Sequence, residues 1–232
     1  MQEEQKKGRK LFLAIMLVSD IFIAGIFFVI SPAEFTSMIP FLLVVLGFLD
    51  GLLLAIMFFS SRHAKKVDEK WGALAERMGW DYSLNITFTQ PNGRSEKRPG
   101  ILGKYAGRDI SITEFIPPGS ESHAQTMAAA RLNKAPKEQF LVRRKVIPLG
   151  GGQFLSKEFD RRYAVDTKDK EYAKKVLTSI QGKIISAPMP LTLHAGGSRA
   201  LALAPGTLTD EKKIMQLLNV LVSLAEAVEK TE

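Results

Sequence analysis

The 232-residue chain predicts an α+β cytosolic domain, a mainly antiparallel sheet with helices on one face, preceded by a two-helix transmembrane hairpin. Three observations carry that prediction. Two almost uninterrupted apolar runs lie before residue 60. Strand-like alternation, bounded by glycine and proline, recurs from residue 86 onward. Amphipathic stripes at helical spacing open, divide and close the remainder. Mean hydropathy is only +0.02 because a greasy start is averaged with a charged remainder.

Residues 1–10 form a basic tail with Lys6, Lys7, Arg9 and Lys10. Residues 11–30 follow, with Asp20 as their one charge, and at 1.5 Å per residue they match a hydrocarbon core of about 30 Å. Residues 41–59 repeat the pattern, with Asp50 as their one charge. The first run is longer than the apolar region of a signal peptide, and a second run follows at once, so both are read as spans. Residues 31–40 then form the outer connection, which has no Lys or Arg, whereas Arg62, Lys65 and Lys66 follow the second run. This asymmetry places both termini in the cytoplasm and the protein in the plasma membrane.

Each aspartate is tenth in its run, so an antiparallel hairpin brings both near mid-bilayer, where a carboxylate costs roughly 3 kcal/mol or more. No basic residue lies in either span, and a shared proton is the simplest way to keep the pair neutral. Gly47, Gly51 and Ala55 recur every four residues and form a small-residue face suited to close helix packing. The simpler reading of Asp20 and Asp50 is interhelical hydrogen bonding within the hairpin or a homo-oligomer. The sharper one is a proton or cation site in an oligomeric channel or transporter, since one hairpin encloses no pathway.

Residues 61–232 carry 28 Lys+Arg against 19 Asp+Glu. Val67, Trp71, Leu74 and Met78 mark a first helix, which Gly79 stops. Strands are expected at 86–89, at 100–105 and 109–115 as a hairpin, and at 140–147. Between them, residues 116–138 read as a long mobile loop, with a short helix near 126–132. A strand at 163–165 precedes a helix carrying Tyr172, Val176, Leu177 and Ile180, capped by Asp166, Thr167 or Asp169. Residues 183–186 read as a strand. Residues 191–195 and 199–204 form a hairpin in which Gly196 supplies the positive φ. Thr209 caps a last helix whose buried face is Ile214, Leu217, Leu218, Leu221, Leu224 and Val228.

Chemistry is scarce. Zero cysteines exclude a disulfide scaffold, a thiol nucleophile and Cys-ligated metal, and three scattered histidines make no metal set. Gly150-Gly151-Gly152 lacks the Lys and Ser/Thr of a phosphate loop. Ser120 and His123 share one loop and cannot converge as a triad. Asp166, Asp169 and Glu171 are interleaved with lysines and are explained by helix capping. His194 reads as a sheet-lining residue and Trp71 as core. No metal, cofactor or catalytic residue is therefore assigned, and the expected function is a non-enzymatic interaction or scaffold module. A membrane-bound enzyme with an unrecognised site stands as a further alternative.

Basic residues are the remaining signal. Arg62, Lys65 and Lys66 are expected to meet anionic lipids, each contributing about 1 kcal/mol near the surface. Arg143, Arg144 and Lys145 form a second basic surface inside apolar flanks. No helix-turn-helix, zinc finger or RNA-binding aromatic pattern accompanies the charge, which argues against nucleic acid. Expected partners are the bilayer and a second copy of this chain or another membrane protein. The segment Phe159-Asp160-Arg161-Arg162-Tyr163-Ala164-Val165, followed by a helix, a glycine hairpin and a last helix, resembles a group of uncharacterised prokaryotic membrane-anchored proteins. These share an F-D-x-x-[FY]-x-V segment ahead of a C-terminal α+β unit. The resemblance implies that architecture and no activity.

Overall fold

Val67, Trp71 and Leu74 repeat at helical spacing, and all three are buried. They lie on helix α1 (Pro32–Met78), and the Trp71 indole donates a hydrogen bond of 2.7 Å to the Leu208 carbonyl. The computed structural model describes Ile21, Ile23, Ile26, Phe28 and residues 32–89, 95–116, 124–145 and 153–231. Residues 1–65 and 66–232 are separate units, so α1 is shared between them.

In the first unit, α1 begins at Pro32 and runs through the expected outer connection. That connection contains two prolines, Pro32 and Pro40. At the first turn Pro32 loses no hydrogen bond, and Pro40 in the interior forfeits only one. Among the described residues no helix is long and apolar enough to cross a membrane. The expected spans at 11–30 and 41–59 are therefore not established by the fold, and Asp20 lies outside the described residues.

In the second unit, α1 ends where expected: Gly79 adopts φ +66°, and the Trp80 amide returns to the Ala75 carbonyl at 2.8 Å. Five strands follow, β1 (Asp81–Thr89), β2 (Ser95–Tyr105), β3 (Arg108–Phe115), β4 (Gln125–Arg131) and β5 (Phe140–Arg144). Next come α2 (Lys157–Arg162), β6 (Tyr163–Thr167), α3 (Lys170–Ser186), β7 (Thr192–Gly196), β8 (Arg199–Pro205) and α4 (Glu211–Lys230). All eight strands join one sheet in the order β1-β2-β3-β4-β8-β7-β5-β6, and every pairing is antiparallel. The α+β class and antiparallel sheet are as the sequence predicts.

Four expectations are corrected. Gln125–Arg131 is neither loop nor helix but the central strand β4, between β3 and β8. Alanine favours helix when considered alone, yet here packing decides. Ala128 and Ala130 of β4 and Ala200, Ala202 and Ala204 of β8 are buried, and these small side chains let α4 lie close on the sheet. Residues 183–186 are the last turn of α3 and not a strand, because Ile184 extends the buried stripe of Tyr172, Val176, Leu177 and Ile180. Asp210, not Thr209, caps α4, its carboxylate accepting from the Lys212 and Lys213 amides. Gly197, not Gly196, has the positive φ in the β7–β8 turn.

The segment at 159–165 has a structural role. Phe159 and Tyr163 are buried, and their rings stack at 5.3 Å. The Asp160 carboxylate accepts from the Phe154 and Leu155 amides, tying the chain entering α2 to the helix.

Candidate functional site

Period-two alternation divides the sheet into two unlike faces. One face carries Ile101, Ile112, Ala128, Val142, Leu193 and Ala202, packed with α3, α4 and the Trp71 turn. The other carries a separate cluster of Phe115, Met127, Ala129, Leu201 and Leu203. Beside this second cluster, where β5, β6, β7 and β8 adjoin, lies a groove of about 510 Å³. Its walls include Leu141, Thr167, Thr192, His194, Leu201 and Leu203. The volume falls within the range of small-molecule sites, roughly 300–1,000 Å³.

His194 projects into this groove and is perturbed by burial. Its ring lies over Gly196, where a Cβ would stand 2.8 Å from Cε1 and 3.1 Å from Nε2. Glycine at 196 therefore serves close approach and not a turn. His194 Nδ1 is shielded from solvent and has no hydrogen-bond partner among the described residues. Desolvation holds the imidazole below its ordinary value, so the neutral ring offers one donor and one acceptor at neutral pH. The unfolded chain takes up a proton near pH 6.5 that the folded groove resists. Stability is therefore full above pH 6.5 and declines as the pH falls from there through the lower folded value. His194→Gln should flatten this decline, as read by denaturant titrations between pH 7 and 5; an unchanged slope would remove His194 from the account.

The expected site residues are dispersed. On α1, Asp50 is half-buried and makes an interaction of its own. A Cβ at Gly47 or Gly51 would meet nothing within 4 Å, and Ala55 is half-buried on the same helix. The Arg62 guanidinium stacks 4.1 Å from the Phe58 ring centroid, and Lys65 and Lys66 are exposed. The 143–145 cluster is partly engaged internally. Arg143 pairs with Asp166 of β6 at 2.9 Å, and Lys145 Nζ donates to the Asp160 carbonyl at 2.7 Å. Arg144 is exposed. The capping acid Asp169 accepts from the Tyr172 amide, and that hydrogen bond, more than the nearby Lys137, holds its carboxyl below the usual range.

The sequence pattern marks His194 as a lining residue but does not reveal the groove around it. The groove needs β5 and β7 to be paired, with β7 then joined to β8, and no local pattern announces that order. No protein family model matches the chain, and no curated protein matches it. Among solved structures, the chain is similar to the mycobacterial trehalose monomycolate transport factor A, TtfA, with a TM-score of 0.53 and 12% identity. The match covers 69% of this chain and 93% of that one, and at this identity it establishes a shared fold.

Proposed function

We propose that the protein is a membrane-anchored, non-enzymatic interaction module that presents its basic α+β domain at the cytosolic face of the plasma membrane. The observation that carries this reading is the surface of α1 between residues 41 and 59. Phe41, Leu43, Val44 and Phe48 there are 64%, 67%, 71% and 70% exposed, and Phe59 is 68% exposed. Exposed apolar side chains of this kind are costly in water and stable in hydrocarbon. The described residues take in only part of the two apolar runs, and the sequence supplies the rest. Arg62, Lys65 and Lys66 follow directly, positioned to meet anionic headgroups. The small-residue face of Gly47, Gly51 and Ala55 suits a second copy or another membrane protein, because no Cβ contact occupies it at either glycine.

Carbonate extraction of membranes expressing the full chain should leave it in the pellet, and topology reporters at Ser37 and Glu232 should lie on opposite sides. A freely soluble product, or an external C-terminus, would refute the reading.

The likeness to TtfA, named as a transport factor, favours a second reading in which the module assists a transporter. In its stronger form the chain is itself a subunit of an oligomeric channel or transporter that uses Asp20 and Asp50. Asp20→Asn with Asp50→Asn abolishes proton or cation flux in reconstituted vesicles on that form, and leaves partner capture intact on the first reading.

A further inference from the structure

Arg131 ends β4, Arg199 begins β8, and the two are direct cross-strand partners. Like charges directly opposite one another in a sheet destabilise it. Neither guanidinium has a hydrogen bond or ion pair among the described residues, and both are exposed. Alternation puts both on the face of Ala129 and Leu201, opposite α4. They border a cavity of about 420 Å³ that also receives the hydroxyl-bearing residues Thr87, Ser111 and Ser198.

The strand ladder is continuous around this pair. Ser111 pairs with Ala129 and Ala129 with Leu201, so a methyl group stands where a larger side chain would fill the space between Ser111 and the arginines. The Leu132 amide donates to the Ser198 carbonyl at 2.9 Å, closing the end of the ladder just beyond the pair. Among the described residues the lining holds a single carboxylate, Asp109, which continues the β3–β4 register beside Arg131. Asp109 faces Lys104 across the β2–β3 ladder, with 3.9 Å between Nζ and Oδ1. The row thus keeps a net positive charge after its internal pair is counted.

We infer that Arg131 and Arg199, with the hydroxyls of Ser111 and Ser198, form a binding site for a phosphate group. Two planar guanidinium forks with hydroxyl donors match the several oxygens of a tetrahedral anion. A carboxylate, with a single planar edge, satisfies one fork and leaves the other repelled. The bound anion cancels the cross-strand repulsion, so occupancy and stability rise together. The phosphate can belong to a soluble molecule or to a lipid headgroup; the site chemistry is shared.

The test uses the full chain in phosphatidylcholine nanodiscs, titrated calorimetrically with inorganic phosphate and with glycerol 3-phosphate. Arg131→Gln and Arg199→Gln should each weaken binding at least tenfold, while Arg143→Gln, with the same loss of charge elsewhere on the sheet, should leave it unchanged. In phosphate-free buffer each of the two substitutions should raise Tm by about 1–3 °C, because it relieves repulsion. Added phosphate should then raise Tm for the parent chain only. A parallel arm replaces part of the lipid with phosphatidic acid and follows its phosphorus resonance. Broadening that requires both arginines assigns the site to a headgroup, and soluble binding without it assigns a free phosphate compound. Binding in neither arm, or binding that survives Arg131→Gln and Arg199→Gln together, overturns the site.

Discussion

Trp71→Ala should lower the unfolding free energy of the α+β unit by about 4–5 kcal/mol, close to the whole net stability of a marginal domain. The side chain is fully buried, so truncation leaves a large cavity among Leu74, Leu208 and the residues beneath them. It also strands the Leu208 carbonyl, which loses its 2.7 Å hydrogen bond from the indole. Trp71→Phe separates these contributions: most of the packing remains, the hydrogen bond goes, and the loss should be about 1–3 kcal/mol. Chemical denaturation of the purified full chain, followed by near-ultraviolet dichroism, reads both. A loss for Trp71→Ala within about 1 kcal/mol of zero would show that the tryptophan is not a core residue.

The stripe holding Trp71 was legible because burial on one helical face leaves a period in the sequence. The same holds for α3 and α4, where every residue assigned to the apolar stripe is buried. Legibility failed where neighbours in space, not in sequence, decide conformation. The Met127–Ala130 run is helix-favouring in isolation, and only the flanking β3 and β8 ladders make it a strand. Ile184 and Ile185 look like strand residues, yet the helical stripe before them continues through Ile184.

The candidate sites follow the same rule. His194 was assignable to the face opposite Leu193, because one strand suffices for that. The pairing of Arg131 with Arg199 joins residues far apart in the chain, and it exists only because 125–131 is a strand beside β8. By contrast, the contiguous basic run 143–145, prominent in the sequence, proves partly engaged by Asp166 and the Asp160 carbonyl. Adjacent charges in sequence are weak guides to a site on a sheet, since successive side chains point to opposite faces.

Glu229→Gln should remove about 3 kcal/mol of stability and abolish an acid-sensitive component. Glu229, in the last turns of α4, receives both arms of the Arg108 guanidinium at 2.8 and 2.7 Å, and its Oε1 also accepts from the Asn133 amide at 2.6 Å. The two side chains are only 12% and 15% exposed, so solvent screens the pair little. Three segments, the start of β3, the chain after β4 and the end of α4, meet at this one carboxylate. The hydrogen bond from Arg108 is the largest cause holding the Glu229 carboxyl below its usual 4.5. A depressed folded value means that the unfolded chain binds the proton first as the pH falls. The contribution is therefore complete above about pH 4.5 and disappears as acid titrates the folded carboxyl. The Gln variant should lack that acid limb while starting lower at pH 7. Replacing both partners, Arg108→Met with Glu229→Leu, should recover most of the loss, because no uncompensated charge stays buried. Recovery by the double variant alone would mark the pair as a junction whose cost lies in being broken. Equal losses in single and double variants would instead show that the pair itself stabilises the meeting of the three segments.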